Sequence, residues 1–341
     1  MSVALGWHAL SFEITMPPVL RPFTVQRRFG GRRLAADLDQ REDLMRRHLI
    51  VRHTTEYQYA EPVSFGRHRM MFRPRDSHSL RLLNTELSIT PAPASIRWMY
   101  DAFGNSVSYA EFEDERAMCL RFVSEIDILH YEAAQPTDLL LNSAQRFPFA
   151  YDAEEVPDLQ SVMRVHRPDP DGQLAAWAVN VARSSDGGTL SVLVGMMETI
   201  HRDFEYLSRP KAGTQEPAQT LALGTGSCRD FALLMIEALR SLGFAARFVT
   251  GYIYAPGSTN HQGGGATHAW LQVYLPGCGW VEMDPTNGIF GNRDLIRIAV
   301  ARDHRQAVPL SGSFVGTSSA FLGMSVSVSV VGAEAETTLA W

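Results

Sequence analysis

The chain has 341 residues, 45% hydrophobic, 20% charged and 10% aromatic, which leaves room for two domains and excludes a disordered, collagenous or coiled-coil protein. Thirty-one basic and thirty-seven acidic residues give a formal charge of −6, so no basic excess points to nucleic acid. Cys119, Cys228 and Cys278 are too few for a disulfide framework, no basic-started signal opens the chain, and no eighteen-residue apolar run predicts a membrane span, so a cytoplasmic protein is expected.

Residues 1–47 read as an extension, arginine-rich from Arg21 and broken at Gly30-Gly31. Strand signals begin at Leu49: LIVRHTTEYQY is rich in β-branched and aromatic residues and is expected to stop at Pro62. RHRMMFRPR, SLRLLNTELSIT, SIRWMY, GNSVSYAEFE and RAMCLRFVSEIDILHYE follow, separated by turn signals at Pro91, Pro93 and Asp101 to Asn105. This spacing predicts an antiparallel β-sandwich or open barrel over residues 48–135. Residues 136–172 read as an irregular linker. Its Asp169-Pro170-Asp171-Gly172 run has the start of a calcium loop without the later ligands, so a solvated loop is expected there. The period then turns helical in QLAAWAVNVARS and TLSVLVGMMETIHRDF.

The chemistry concentrates in residues 173–300. Gly224-Thr225-Gly226-Ser227 is a tight loop ending in a capping residue. Phe231, Leu234, Met235, Ala238 and Leu239 then keep a helical stripe, and Gly243 closes it. Cys228 thus falls in the first turn of a helix, where unpaired N–H groups and the positive dipole end favour thiolate. Asp230 in the same turn complements that dipole. Downstream, THAWLQVYL alternates as a strand, PGCG is a hairpin turn and WVEMD is the return strand. Counting outward from Gly277-Cys278 brings His268 and Asp284 to within a residue or three of register. Thiol, imidazole and carboxylate form a nucleophile, base and orienter. Taken singly, each has a plainer reading: a packed cysteine, a strand histidine, a turn aspartate. A zinc site from Cys228, His261 and His268 lacks the paired short spacings of structural zinc. Trp270 and Trp280 are expected in the core beneath the cleft.

These residues resemble the transglutaminase-like superfamily of papain-type thiol enzymes, in its bacterial branch with an N-terminal β-domain. GSCRDFALLMIEALRSLGFAARFVTGY and HAWLQVYLPGCGWVEMDPTNG carry the likeness, supported upstream by YQYAEPVSFGRHRMMFRPR and DAFGN. The resemblance runs from Leu49 onward. It implies an α+β fold with a papain-like core, a catalytic helix packed on an antiparallel sheet, followed by C-terminal strands over residues 301–341. It also implies a Cys228–His268–Asp284 triad that needs no metal or cofactor. Gln272 departs from the branch, which often has an acidic residue there.

The expected activity is attack of Cys228 on a peptide or side-chain amide of a protein substrate. The thioester would then be resolved by water, as in a protease or amidase, or by an amine, as in a transglutaminase. The contrasting reading is a non-catalytic peptide-binding module with a relic core. Gln215 is a candidate second oxyanion donor beside the Cys228 N–H. Lys211, the chain's one lysine, is the self-crosslinking site to test if the protein accepts amines.

Overall fold

The computed structural model describes residues 46–113, 115–132, 139–209, 213–256 and 262–333; residues 1–45 of the expected extension, Lys211 and His261 lie outside the described residues. The first half is all strand: β1 (Arg46–Phe65), β2 (His68–Met70), β3 (Leu80–Thr90), β4 (Ser95–Tyr100), β5 (Ser106–Glu111) and β6 (Arg116–Tyr131). Along β1 the period of two buries Leu49, Val51, His53 and Thr55 on one face. The strand does not stop at Pro62. Its ladder with β6 breaks between Gln58 and Val63, so the proline sits where no N–H is needed.

Helices α1 (Val156–Met163), α2 (Gln173–Arg183) and α3 (Thr189–Asp203) follow. The expected linker is therefore partly helical, and it is tied down. Glu237, fully buried, accepts from the N–H groups of His166 and Arg167 and pairs with Arg240 at 2.6 Å. The Asp169-Pro170-Asp171-Gly172 run is the expected loop, exposed at Pro170 and Asp171, and it also starts the next helix, because both Asp169 oxygens accept from first-turn N–H groups of α2.

Next come β7 (Glu205–Tyr206), α4 (Pro217–Leu223), β8 (Thr225–Gly226) and α5 (Cys228–Ser241). The core sheet follows as β9 (Ala246–Ile253), β10 (His268–Leu275), β11 (Gly279–Asp284), β12 (Ile289–Phe290) and β13 (Leu295–Ala301). Its order is β12-β11-β10-β9-β13, antiparallel throughout. Phe231, Leu234, Met235 and Ala238 of α5 share a core with Ala269, Leu271, Val273 and Leu275 of β10. The helix is thereby laid on the sheet.

The C-terminal strands β14 (Leu310–Ser311), β15 (Phe314–Val315) and β16 (Phe321–Gly332) return to the first half of the chain. β14 joins β2, while β15 and β16 both pair with β1. Tyr252 and Ile296 of the core sheet pack with Leu49, Val51, Ile126 and Val328 of the β1 sheet. Among the described residues no helix is long and apolar enough to cross a membrane.

Candidate active site

The start of α5 is fixed by local chemistry. Gly224 ends α4 with φ +63°, and β8 pairs in parallel with β7, setting Tyr206 beside Gly226. A Cβ on Gly226 would come within 2.9 Å of Asp230 Cβ and 3.1 Å of the Phe231 ring, so the helix start closes on a glycine. Ser227 caps the helix. Asp230 accepts from the Ser227 N–H at 2.8 Å and its hydroxyl at 2.7 Å. Its other oxygen accepts from the Gln215 N–H and from Arg209. Burial works to raise the Asp230 pKa, but these donors outweigh it and hold the carboxyl below its usual value. Asp230 thus ties the loop ahead of the helix to its first turn, a larger role than dipole complement.

Cys228 opens α5, 7% exposed. At the other end of the helix Gly243 stands at φ +92°. Its N–H donates to Arg240 and that of Phe244 to Leu239, closing a Schellman turn that aims the chain into β9.

The hairpin delivers the imidazole and the carboxylate. The β10–β11 ladder ends at the Leu271–Met283 pair, and one step further sets Asp284 diagonal to His268. His268 Nε2 and Asp284 Oδ2 are 2.7 Å apart, and both side chains are fully buried. The remaining Asp284 oxygen accepts from the Thr286 N–H at 2.9 Å, and Asn287 Nδ2 donates to Oδ2 at 2.7 Å. With Nε2 engaged, Nδ1 is the free ring nitrogen, buried without a partner at full hydrogen-bond geometry. Burial alone would lower the His268 pKa. The Asp284 charge and hydrogen bond, followed by the Cys228 side chain, reverse this and raise it to about 10. Burial likewise works to raise the Asp284 pKa, and His268, Asn287 and Thr286 bring it below the usual value.

The three residues singled out in the sequence therefore come together. Others do not join them. Gln215 donates its N–H to Asp230 and accepts through its side-chain oxygen from Thr220, and none of its described contacts is with Cys228. Trp280 lies further along the hairpin, opposite Tyr274 and under the Arg247 guanidinium. Trp270 is fully buried, as expected of core, and also stacks on His268 with ring centroids 5.7 Å apart.

Two neighbours escaped the sequence reading. Asn287 braces Asp284 and exchanges hydrogen bonds with the Gln262 backbone, pinning the loop that enters β10. An Asn three residues after the aspartate was its one sequence signal. Tyr206 has its hydroxyl pKa pushed up to about 12 by burial and then by the charges of Cys228 and Asp284. No local pattern announces it, because β7 is two residues long and pairs across a helix.

The model of the transglutaminase-like superfamily matches residues 175–285, spanning all three of these residues, and that of the bacterial transglutaminase-like N-terminal region matches residues 49–129. A protein of Mycobacterium tuberculosis without an assigned function is 30% identical over 303 residues, covering 82% of this chain and 91% of that one. This chain belongs to the transglutaminase-like superfamily. A shorter stretch of 94 residues, 25% of this chain and 14% of the relative, is 32% identical to a protein-glutamine gamma-glutamyltransferase of Pseudomonas aeruginosa. Among solved structures, the superfamily fold is shared with a "Putative Cysteine Protease from Cytophaga hutchinsonii", at TM-score 0.62 and 20% identity over 84% of this chain and 92% of that one.

Proposed function

We propose that the protein is a thiol enzyme acting on peptide or side-chain amides, with Cys228 as nucleophile, His268 as proton carrier and Asp284 as its orienter. The observation that carries this reading is the buried His268–Asp284 pair, with Cys228 as the ring's other charge partner at the start of α5. The Cys228 sulfur bonds to the amide carbon, and the tetrahedral oxyanion faces the unpaired N–H groups of the first turn. His268 hands its proton to the departing nitrogen as the C–N bond breaks, leaving a thioester and free amine. In the second step His268 takes a proton from water or from an incoming amine, whose oxygen or nitrogen bonds to the acyl carbon as the C–S bond breaks. Asp284 keeps the ring in one tautomer and stabilises its charge without exchanging protons.

The partner class is a protein or peptide, and water is the favoured acceptor because it is abundant. The test is mass spectrometry of the intact protein after a thiol-reactive acylating probe, with and without a small primary amine. Acylation of Cys228 followed by spontaneous deacylation supports hydrolysis, and transfer of the acyl group to the amine supports a transferase. A protein that is never acylated at Cys228 is the relic module instead.

A further inference from the structure

The sheet face that carries His268 also carries a polar lattice that the acyl chemistry above does not use. The ladder sets it out in rows. Gln272 pairs with Arg247 of β9 on one side and Glu282 of β11 on the other. Two residues nearer the site, Trp270 pairs with Val249, and beyond it His268 pairs with Gly251, which pairs in turn with Arg297 of β13. A register shift falls between Arg297 and Ala299. Gly251 is what admits the indole. A Cβ there would lie 2.7 Å from Trp270 Cη2 and would also collide with the Ile296 carbonyl oxygen.

Trp270 is held from two sides. Its ring plane lies 26° from that of His268, and its Nε1–H donates to Glu282 Oε2 at 2.5 Å. Glu282 Oε1 accepts from Gln272 Nε2 at 2.6 Å and from Arg297 at 3.0 Å. Gln272 Oε1 accepts in turn from Arg247 Nε at 2.8 Å, and the Arg247 guanidinium lies 3.8 Å over the Trp280 ring. One carboxylate thus faces two guanidiniums. Burial and the Arg297 charge bring the Arg247 pKa down to about 9, with Glu282 opposing them.

We propose that Glu282 is a positioning residue for the Cys228–His268 couple, acting through Trp270. By accepting the indole N–H it fixes the ring plane against the imidazole and enriches the π face that an imidazolium meets. It also offsets the Arg247 and Arg297 charges, which would otherwise oppose a protonated His268. This places the carboxylate on β11, so that Gln272 serves as a neutral coupler between it and Arg247. The proposal rests on Cys228 and His268 forming the reactive couple. The other charged or titratable groups bearing on His268 are Asp284 from β11 and Cys228 from α5, with Tyr206 of β7 bearing on both of those.

The test is the pH dependence of Cys228 alkylation by iodoacetamide in the full chain, with the His268 ring-proton resonance followed by NMR. Glu282→Gln should move the alkylation midpoint upward by about one pH unit, slowing the reaction about tenfold on the acid side of the wild-type midpoint. The imidazolium should titrate correspondingly lower, and Glu282→Asp should restore part of both shifts. Trp270→Phe keeps a ring but removes the donor, so it should show a shift of the same sign. In that background Glu282→Gln should add little, because the coupling is already cut. Fully additive effects, or unshifted profiles in a folded Glu282→Gln protein, overturn the proposal. Should Glu282→Gln not fold, an unshifted Trp270→Phe profile does the same. A wild-type Cys228 no more reactive than Cys119 sinks the reading on which it rests, which is a different result.

Discussion

Cys228 is less accessible than Cys119, yet it stands at a helix start beside an imidazole. Cys119 is exposed on β6, its thiol pushed up by what burial it has and by Glu56, with Arg121 partly opposing. Burial pushes the Cys278 thiol up as well. Cys228 has the first turn of α5 and His268. Iodoacetamide near neutral pH should therefore modify Cys228 first, and His268→Ala should abolish that preference; equal labelling of all three in the wild type would contradict it. His268 and Asp284 also couple the site to stability. The folded His268 pKa, about 10, lies above the unfolded 6.5, so its contribution is complete below about 6.5 and is lost as pH rises through about 10. The lowered Asp284 pKa adds stability above the unfolded carboxylate range, lost on acidification. Asp284→Asn should cut turnover of an acylating probe about 10⁴-fold, on the model of other carboxylate-oriented imidazoles. Its stability deficit against wild type should narrow between pH ~7 and ~10.5 in urea unfolding. A deficit that stays constant would show that the pair is not ionised in the folded protein.

At the scale of elements, α5 shows which features a sequence can carry. Its start at Cys228 and its stop at Gly243 were legible because capping is local chemistry, written within a few residues. The β10–β11 hairpin was legible for the same reason, since its turn sets the register that brings His268 and Asp284 together. What ties α5 down was not legible. Asp230 reads as a dipole partner, but its ligands Arg209 and Gln215 come from the preceding loop. Glu237 and Arg240 fall outside the apolar stripe of the helix, yet they are buried and hold a distant segment. Pro62 reads as a strand end, and only the pairing partner reveals the bulge that admits it. Asp230→Ala should destabilise the protein by about 3 kcal/mol, since it leaves several buried donors unmatched. Cys228 alkylation should slow in the same variant under conditions where it remains folded. A loss within about 0.5 kcal/mol in urea melts would mean the loop is held by other contacts.

At the scale of the whole molecule, His53 of β1 joins the two halves. It is buried at 2% exposure and bonds to the Tyr252 hydroxyl at 2.9 Å and the Thr55 hydroxyl at 3.0 Å. Burial lowers its pKa to about 4, so the fold holds it neutral. Acidification from about pH 6.5 to 4 then favours the unfolded chain by about 3 kcal/mol, and stability returns as pH rises through that window. His53→Gln should flatten this part of the pH–stability curve, and an unchanged slope would assign the acid sensitivity to other groups. The β1–β16 ladder has a different kind of consequence. β16 pairs with β1 from Leu49–Gly332 to Tyr59–Phe321, and its Val328 N–H donates to Gly265 in the loop leading to His268. During synthesis β1 leaves the ribosome before all the other described elements and β16 after them. The loop that delivers the imidazole thus lacks one of its two ties until translation has passed the other described elements, while the tie to Asn287 is made earlier in the chain. A ribosome-bound chain would carry Cys228 and His268 while the loop between them was tied on its Asn287 side alone.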